Sequence, residues 1–198
     1  MSTDTTVSIV KCGSYDENTV NAAMEKLLAP WNGIAQWGGK GRKVFIKPNL
    51  LLAATPDQAC TTHPAVLEAV IRALQQTGAD VFFGDLPGGF HVGAGKHIYN
   101  KCGMTEVAEK TGAELVHLER HGFRDRKIPN GKKLTVIHTP KFLDDMDLIV
   151  NMPKLKTHMQ SLYTGAIKNM FGFMTTGDRE HAHTFNKYSD FSAVLTDI

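Results

Sequence analysis

Apolar positions recur in short blocks along this chain, and their spacing alternates between the two-residue period of strands and the helical period. Val7-Ser8-Ile9-Val10 predicts a short strand, followed by a helix capped by Asp16 with Val20, Met24, Leu27 and Leu28 on one face. A Gly- and Trp-containing connector over 30–41 leads to Val44-Phe45-Ile46, an apolar run suited to a strand buried on both faces and ended by Lys47-Pro48-Asn49. Thr61-Thr62-His63-Pro64 then supplies cap and first-turn residues for a helix carrying Val66, Leu67, Val70, Ile71 and Leu74, which Gly78 closes. Val81-Phe82-Phe83-Gly84-Asp85 predicts a second buried strand, and Leu86-Pro87-Gly88-Gly89 a turn.

The second half is less regular. A short helix is expected over 104–111 and a strand over 115–118, followed by a polar loop over 119–133. Residues 133–138 alternate like a half-exposed strand, and Leu148-Ile149-Val150 reads as another core strand before Pro153. Ile167, Met170 and Phe171 fit a helix that Gly165 and Gly172 weaken, and 191–198 is an apolar-periodic segment without a stop signal. Strands alternating with helices predict an α/β fold, an open, largely parallel sheet flanked by helices, because parallel neighbours need crossover connections. The reading is one domain over 1–198, truncated at its C-terminal end.

Composition narrows the class. With 42% hydrophobic and 21% charged residues, 198 residues supply a substantial core. Lys plus Arg number 22 against 20 Asp plus Glu, a net +2, which argues against nucleic-acid and membrane-surface partners. No window approaches the roughly 18 apolar residues of a membrane span, and the N-terminus lacks a secretory pattern, so the expectation is a cytoplasmic protein. Cys12, Cys60 and Cys102 are too dispersed for a disulfide framework or a self-contained iron-sulfur cluster.

In open α/β sheets ligands sit beyond the carboxyl ends of the strands, so the polar residues ending each apolar run are the candidate site. Residues 36–56 carry Lys40, Arg42, Lys43 and Lys47 without an acid, and 151–177 carry Lys154, Lys156 and Lys168, again without one. Two acid-free cationic stretches at strand ends, with the helix start at 61–64 nearby, point to a carboxylate or phosphate site. Lys154, Lys156 and His158 fall on one side of an extended segment, a row able to grip an anion and present an imidazole. His181 and His183 form a His-x-His pair that, read as extended, could share a divalent metal with His158. His63, at a helix start, is assigned to capping or anion contact. Gly88, Gly89, Gly93 and Gly95 lack the G-x-G-x-x-G spacing, and neither a P-loop nor a G-x-S-x-G elbow occurs.

Five blocks together carry a resemblance: Val44-Phe45-Ile46-Lys47-Pro48-Asn49-Leu50, Thr61-Thr62-His63-Pro64, Gly84-Asp85-Leu86-Pro87-Gly88, Asn151-Met152-Pro153-Lys154-Leu155-Lys156-Thr157-His158, and the block from Thr164-Gly165-Ala166-Ile167-Lys168 to Asn169-Met170-Phe171-Gly172. The chain resembles the domain of unknown function 362 family. The resemblance implies an association with iron-sulfur proteins, many members carrying a ferredoxin-like module that is missing here, and a chain that continues past Ile198. Its motifs fall on the strand ends already selected: Lys47, Asn49, Thr62, His63, Asp85, Lys154, Lys156, Thr157, His158, Lys168 and Asn169.

The leading expectation is a small anionic ligand in a crevice lined by Lys and His, with Lys47, Lys154 and Lys156 as the anion contacts, Lys168 as a lesser candidate, and Asp85 and His158 as proton-transfer residues. The alternative, from another class, is an accessory redox or metal-handling protein that uses His158, His181 and His183 or docks a ferredoxin-like partner.

Overall fold

The computed structural model describes residues 5–87 and 94–198. Gly88, Gly89 and Gly93, part of the expected turn and glycine cluster, lie outside the described residues. In chain order the elements are α1 (Glu17–Leu28), β1 (Lys43–Pro48), α2 (Pro64–Gln75), β2 (Asp80–Phe83), α3 (Ala94–Lys101), α4 (Met104–Thr111), β3 (Glu114–Leu115), β4 (Phe123–Lys127), β5 (Val136–Pro140), β6 (Leu148–Met152), β7 (Lys156–His158), β8 (Leu162–Thr164), α5 (Ala166–Met170), α6 (Thr176–His183) and α7 (Tyr188–Asp197).

The expected α/β architecture is present: β3, β2, β1 and β6 lie side by side in that order, every pairing parallel, with helices against the sheet. β1 sits inside, and Val44, Phe45, Ile46 and Lys47 are each 0% exposed. Alternation sends Val44 and Ile46 to the face covered by Leu67, Val70, Ile71 and Leu74 of α2, and Phe45 to the opposite face with Leu86, Val116, Leu118 and Phe173. Full burial of one such side chain stabilises the fold by about 1.5–3 kcal/mol, so this strand anchors both layers. Lys47 follows Phe45 by two residues and shares its face, which is why its ammonium lies 5.4 Å from the Phe173 ring centroid.

Crossovers carry the chain from β1 to β2 to β3 in one direction, and β6 then lies on the other side of β1. The order reverses between β1 and β6, where Lys47 is in register with Asn151 and Pro48 with Met152. A crevice opens at such a switch point beyond the strand tips. The β7–β8 hairpin, α5 and α6 follow β6 directly and supply the wall of that crevice.

Several local expectations need correction. Val7–Val10 is not a strand: it pairs with neither sheet edge, and Val7 and Ile9 are 79% and 91% exposed. Its apolar run is too short to persist without a ladder partner. The strand expected over 115–118 is Glu114–Leu115, and Leu118–Arg120 is a 3₁₀ turn. The expected loop over 119–133 contains β4, paired antiparallel with β5. Residues 181–183 belong to α6 instead of an extended segment, because Thr175 caps that helix by accepting from the Asp178 N–H at 3.2 Å.

Candidate functional site

The floor of the crevice is built by the tips of β1 and β2. Lys47 is fully buried and forms an ion pair with Asp85, itself 3% exposed. The ammonium also donates to the Pro48 carbonyl at 2.9 Å and approaches Asn169 Oδ1 at 3.5 Å, so its donors are taken up inside the protein. Asp85 Oδ2 accepts the Leu50 N–H at 2.8 Å. Tyr99 of α3 holds the Asp85 backbone from both sides, donating to its carbonyl at 2.6 Å and accepting its N–H at 3.1 Å. Burial pushes the Lys47 ammonium down and the Asp85 carboxyl up from their ordinary values, and their mutual attraction opposes both shifts.

Gly172 is required at this floor. A Cβ there would lie 2.6 Å from Asp85 Oδ1 and 2.9 Å from Lys47 Nζ, so only glycine lets the Phe171–Phe173 turn close over the ion pair. Asn169, 3% exposed, donates to the Lys47 carbonyl at 3.1 Å and to Asn151 Oδ1 at 2.7 Å, stitching β1, β6 and α5 together. Thr62 does the same beneath, donating to the Met152 carbonyl at 2.7 Å and accepting the Asn49 N–H at 2.8 Å. Asn49 leaves its Oδ1 buried without a hydrogen-bond partner at the edge of the cavity.

Above this floor lies a cavity of about 500 Å³. Its polar wall comes from α5 and from one face of α6, where Thr176, Arg179, Glu180 and His183 recur at helical spacing. Arg179 donates to the Leu86 carbonyl at 2.9 Å and to Thr176 Oγ1 at 3.4 Å, and Lys168 Nζ lies 5.0 Å from the Phe171 ring centroid. Neither cation has a carboxylate in an ion pair among the described residues. Burial, with the fields of Lys156 and Arg179 added, holds the Lys168 amine down at about 8.

Hydrogen bonds settle which ring nitrogen carries the proton on each of two histidines. His158 Nδ1 accepts the backbone N–H groups of Gln160 and Ser161, both at 3.1 Å, so the neutral ring carries its proton on Nε2. Burial, then Lys168, His183 and Lys156, push that imidazole down to about 4, which keeps it neutral. Gln160 donates its amide to the Phe185 carbonyl at 2.9 Å and presents Oε1 to His183 Nδ1 at 2.6 Å. His183 is therefore the donor at Nδ1 and keeps its lone pair on Nε2. Burial, Lys168 and Arg179 hold it below the ordinary imidazole value. One imidazole offers a donor and the other an acceptor.

Of the residues selected from sequence, Lys47, Asn49, Asp85, His158, Lys168, Asn169 and His183 line the cavity. Thr62, His63, Lys154, Lys156, Thr157 and His181 do not. His63 caps α2, its Nδ1 accepting the Ala65 N–H at 3.2 Å, and stacks on Tyr15 with centroids 3.5 Å apart. Lys156 donates to the Cys60 carbonyl, while Thr157 faces outward on the hairpin opposite Tyr163.

The His158, His181 and His183 metal set is not assembled. Residues two apart on a helix point in different directions, and His181 packs against Phe185 instead. Among the described residues no three His, Cys, Asp or Glu side chains gather to hold a metal ion. The three cysteines are free thiols: Cys12 exposed, Cys60 half-buried and Cys102 buried. Sequence reasoning selected His183 as a metal ligand and missed Arg179, and the Thr175…Asp178 capping pattern was the signal for the helix that presents both to the cavity.

The architecture is that of an α/β protein whose open parallel sheet carries a crevice lined by Lys, Arg and His at its switch point. Residues 44–198 match the family described as Domain of unknown function (DUF362), and the chain belongs to that family. It is similar to the Thylakoid-associated protein sll1697 of Synechocystis sp., with 30% identity over 166 residues, 84% of this chain and 50% of that protein. The chain thus spans about half the length of that relative. Among the described residues no helix is long and apolar enough to cross a membrane.

Proposed function

We propose that the crevice binds a small anion, a carboxylate or a phosphate, with Lys168 and Arg179 as its charge partners. One observation carries this reading: both cations line the same cavity without an acidic ion-pair partner among the described residues. Desolvated charges are costly unless neutralised, so an anionic guest is the natural completion of the site. His158 adds a neutral N–H donor and His183 an acceptor, which equips the crevice for proton transfer to or from the bound molecule. In this reading Asp85 serves as the partner of Lys47, and His183 takes the proton-transfer role. Lys154 and Lys156 act at longer range, through their field. The near-balanced charge and dispersed thiols support a cytoplasmic compartment.

Calorimetric titration with inorganic phosphate and with citrate tests the reading. Lys168→Met and Arg179→Met should each weaken binding by about 10- to 100-fold, the worth of a charge-assisted contact. Lys154→Met should weaken it far less. Phosphate and citrate affinities unchanged in both of the first two variants would remove the proposal.

A further inference from the structure

The three buried or half-buried lysines around the crevice are not equivalent. Lys47 is taken up by Asp85, Pro48 and Asn169, and Lys156 by the Cys60 carbonyl. Lys168 has no hydrogen-bond or ion-pair partner among the described residues, and its ammonium lies over the face of Phe171. The same ring packs against His183, with centroids 5.3 Å apart, so the amine and the imidazole flank one aromatic side chain. The groups around Lys168 are Lys156 and His158 of β7, Arg179, Glu180 and His183 of α6, and the Lys47–Asp85 pair of the floor. Its nearest fields are cationic, and this is the setting that turns a lysine into a nucleophile: a desolvated amine beside other positive groups. With the amine held at about 8, the neutral fraction near pH 7 exceeds that of a surface lysine by roughly two orders of magnitude.

We propose that Lys168 is a catalytic nucleophile that forms an imine with a 2-oxo carboxylate, whose carboxylate rests on Arg179. The inference builds on the anion-binding reading and gives it a substrate class. The free N–H groups of the Arg179 guanidinium suit a planar carboxylate, and Lys168 lines the same cavity, where its amine would meet a carbonyl next to that carboxylate. The Nζ lone pair adds to the carbonyl carbon while the C=O π pair moves to oxygen. A proton passes from nitrogen to that oxygen, giving a carbinolamine. Loss of water breaks the C–O bond and forms C=N, so amine and ketone become imine and water with no oxidant or reductant. His183, with its Nε2 lone pair, takes the proton from nitrogen and returns it to the departing hydroxyl.

Reductive trapping of the whole chain is the test. The protein is treated with pyruvate and borohydride between about pH 6 and pH 9, then analysed by intact mass and peptide mapping, with lactate as the carbonyl-free control. The expected result is one reduced adduct on Lys168, with a yield that rises through about pH 8 as the amine loses its proton. Lactate should give none, and Lys168→Arg should abolish the adduct. Arg179→Met should lower it by about tenfold or more, and phosphate should protect. No adduct, or an adduct spread over surface lysines and unchanged in Lys168→Arg, would overturn the inference. Phosphate binding without trapping would remove the imine alone, whereas loss of both would remove the anion site as well.

Discussion

Replacing Lys47 with Met removes one partner of the buried pair while preserving most of the aliphatic volume. Asp85, 3% exposed, is left with the Leu50 N–H at 2.8 Å but without its counter-charge. Breaking a buried pair from one side costs about 3–5 kcal/mol, a large share of a typical domain's stability. The deficit has a pH signature whose sign follows from the geometry. Burial already raises the Asp85 carboxyl, and Lys47 is the largest influence holding it down, so the variant's carboxyl is raised further. A raised folded-state carboxyl favours folding at low pH and loses that contribution as pH rises through its folded value. Urea unfolding at about pH 5 and about pH 8 should therefore show a deficit that narrows in acid, read as a change in midpoint at constant slope. Lys47→Met/Asp85→Asn should be less destabilised than the two single variants summed. A Lys47→Met deficit below about 1 kcal/mol, or one that does not change with pH, would refute the reasoning, because single-sided loss of a buried pair must leave an uncompensated charge.

Gly172→Ala should destabilise by about 1–3 kcal/mol in thermal melts, because its methyl group would intrude on Asp85 Oδ1 at 2.6 Å; a neutral result would mean that the turn moves aside at little cost. His138 is raised above the ordinary imidazole value by its hydrogen bond and attraction to Asp178, 2.8 Å away, so its stabilising contribution is present in acid and fades as pH rises through the folded value. An NMR titration should place its midpoint above about 6.5, and Asp178→Asn should bring it back; a wild-type midpoint at or below the ordinary value contradicts the assignment. Asp197 accepts the backbone N–H groups of Lys132, Lys133 and Leu134 at 2.9, 2.6 and 2.9 Å. Asp197→Ala should cost about 1–3 kcal/mol in denaturant unfolding and loosen α7 first by hydrogen exchange, and uniform protection across α7 would speak against that anchor.

The sheet was legible because its three long strands carry unbroken apolar runs, the central one, β1, being buried on both faces. Val44-Phe45-Ile46, Val81-Phe82-Phe83 and Leu148-Ile149-Val150 are unbroken apolar runs, and a parallel sheet covered by helices demands such runs. Val7-Ser8-Ile9-Val10 shows the limit of that signal, since a strand is completed by a neighbour and this segment has none. The floor of the crevice was legible for the same reason as the sheet: Lys47, Asp85 and Asn151 stand where apolar runs stop. The α6 wall was not. Reading His181 and His183 with a period of two hid the helical period that aligns Thr176, Arg179, Glu180 and His183. The tautomers were also beyond reach, because they depend on Gln160 and on two backbone N–H groups brought in by the hairpin.

Charge and hydrogen bonding divide the crevice into two parts with different duties. The floor is closed: Lys47, Asp85, Asn169, Asn151 and Thr62 spend their polar atoms on one another and on the strand tips. A network so satisfied fixes geometry and resists exchange with solvent or ligand. The wall is open: Lys168 and Arg179 have no acidic ion-pair partner among the described residues, His158 offers a donor, and His183 keeps a lone pair. A chemically competent site needs both, since reactive groups are useful only when held within a fraction of an ångström by groups that do not move. Conserving the floor while changing the wall would therefore alter ligand choice without altering the fold. Substitutions in the floor such as Gly172→Ala should instead disturb every wall residue at once, because the turn over the ion pair joins α5 to the segment that leads into α6.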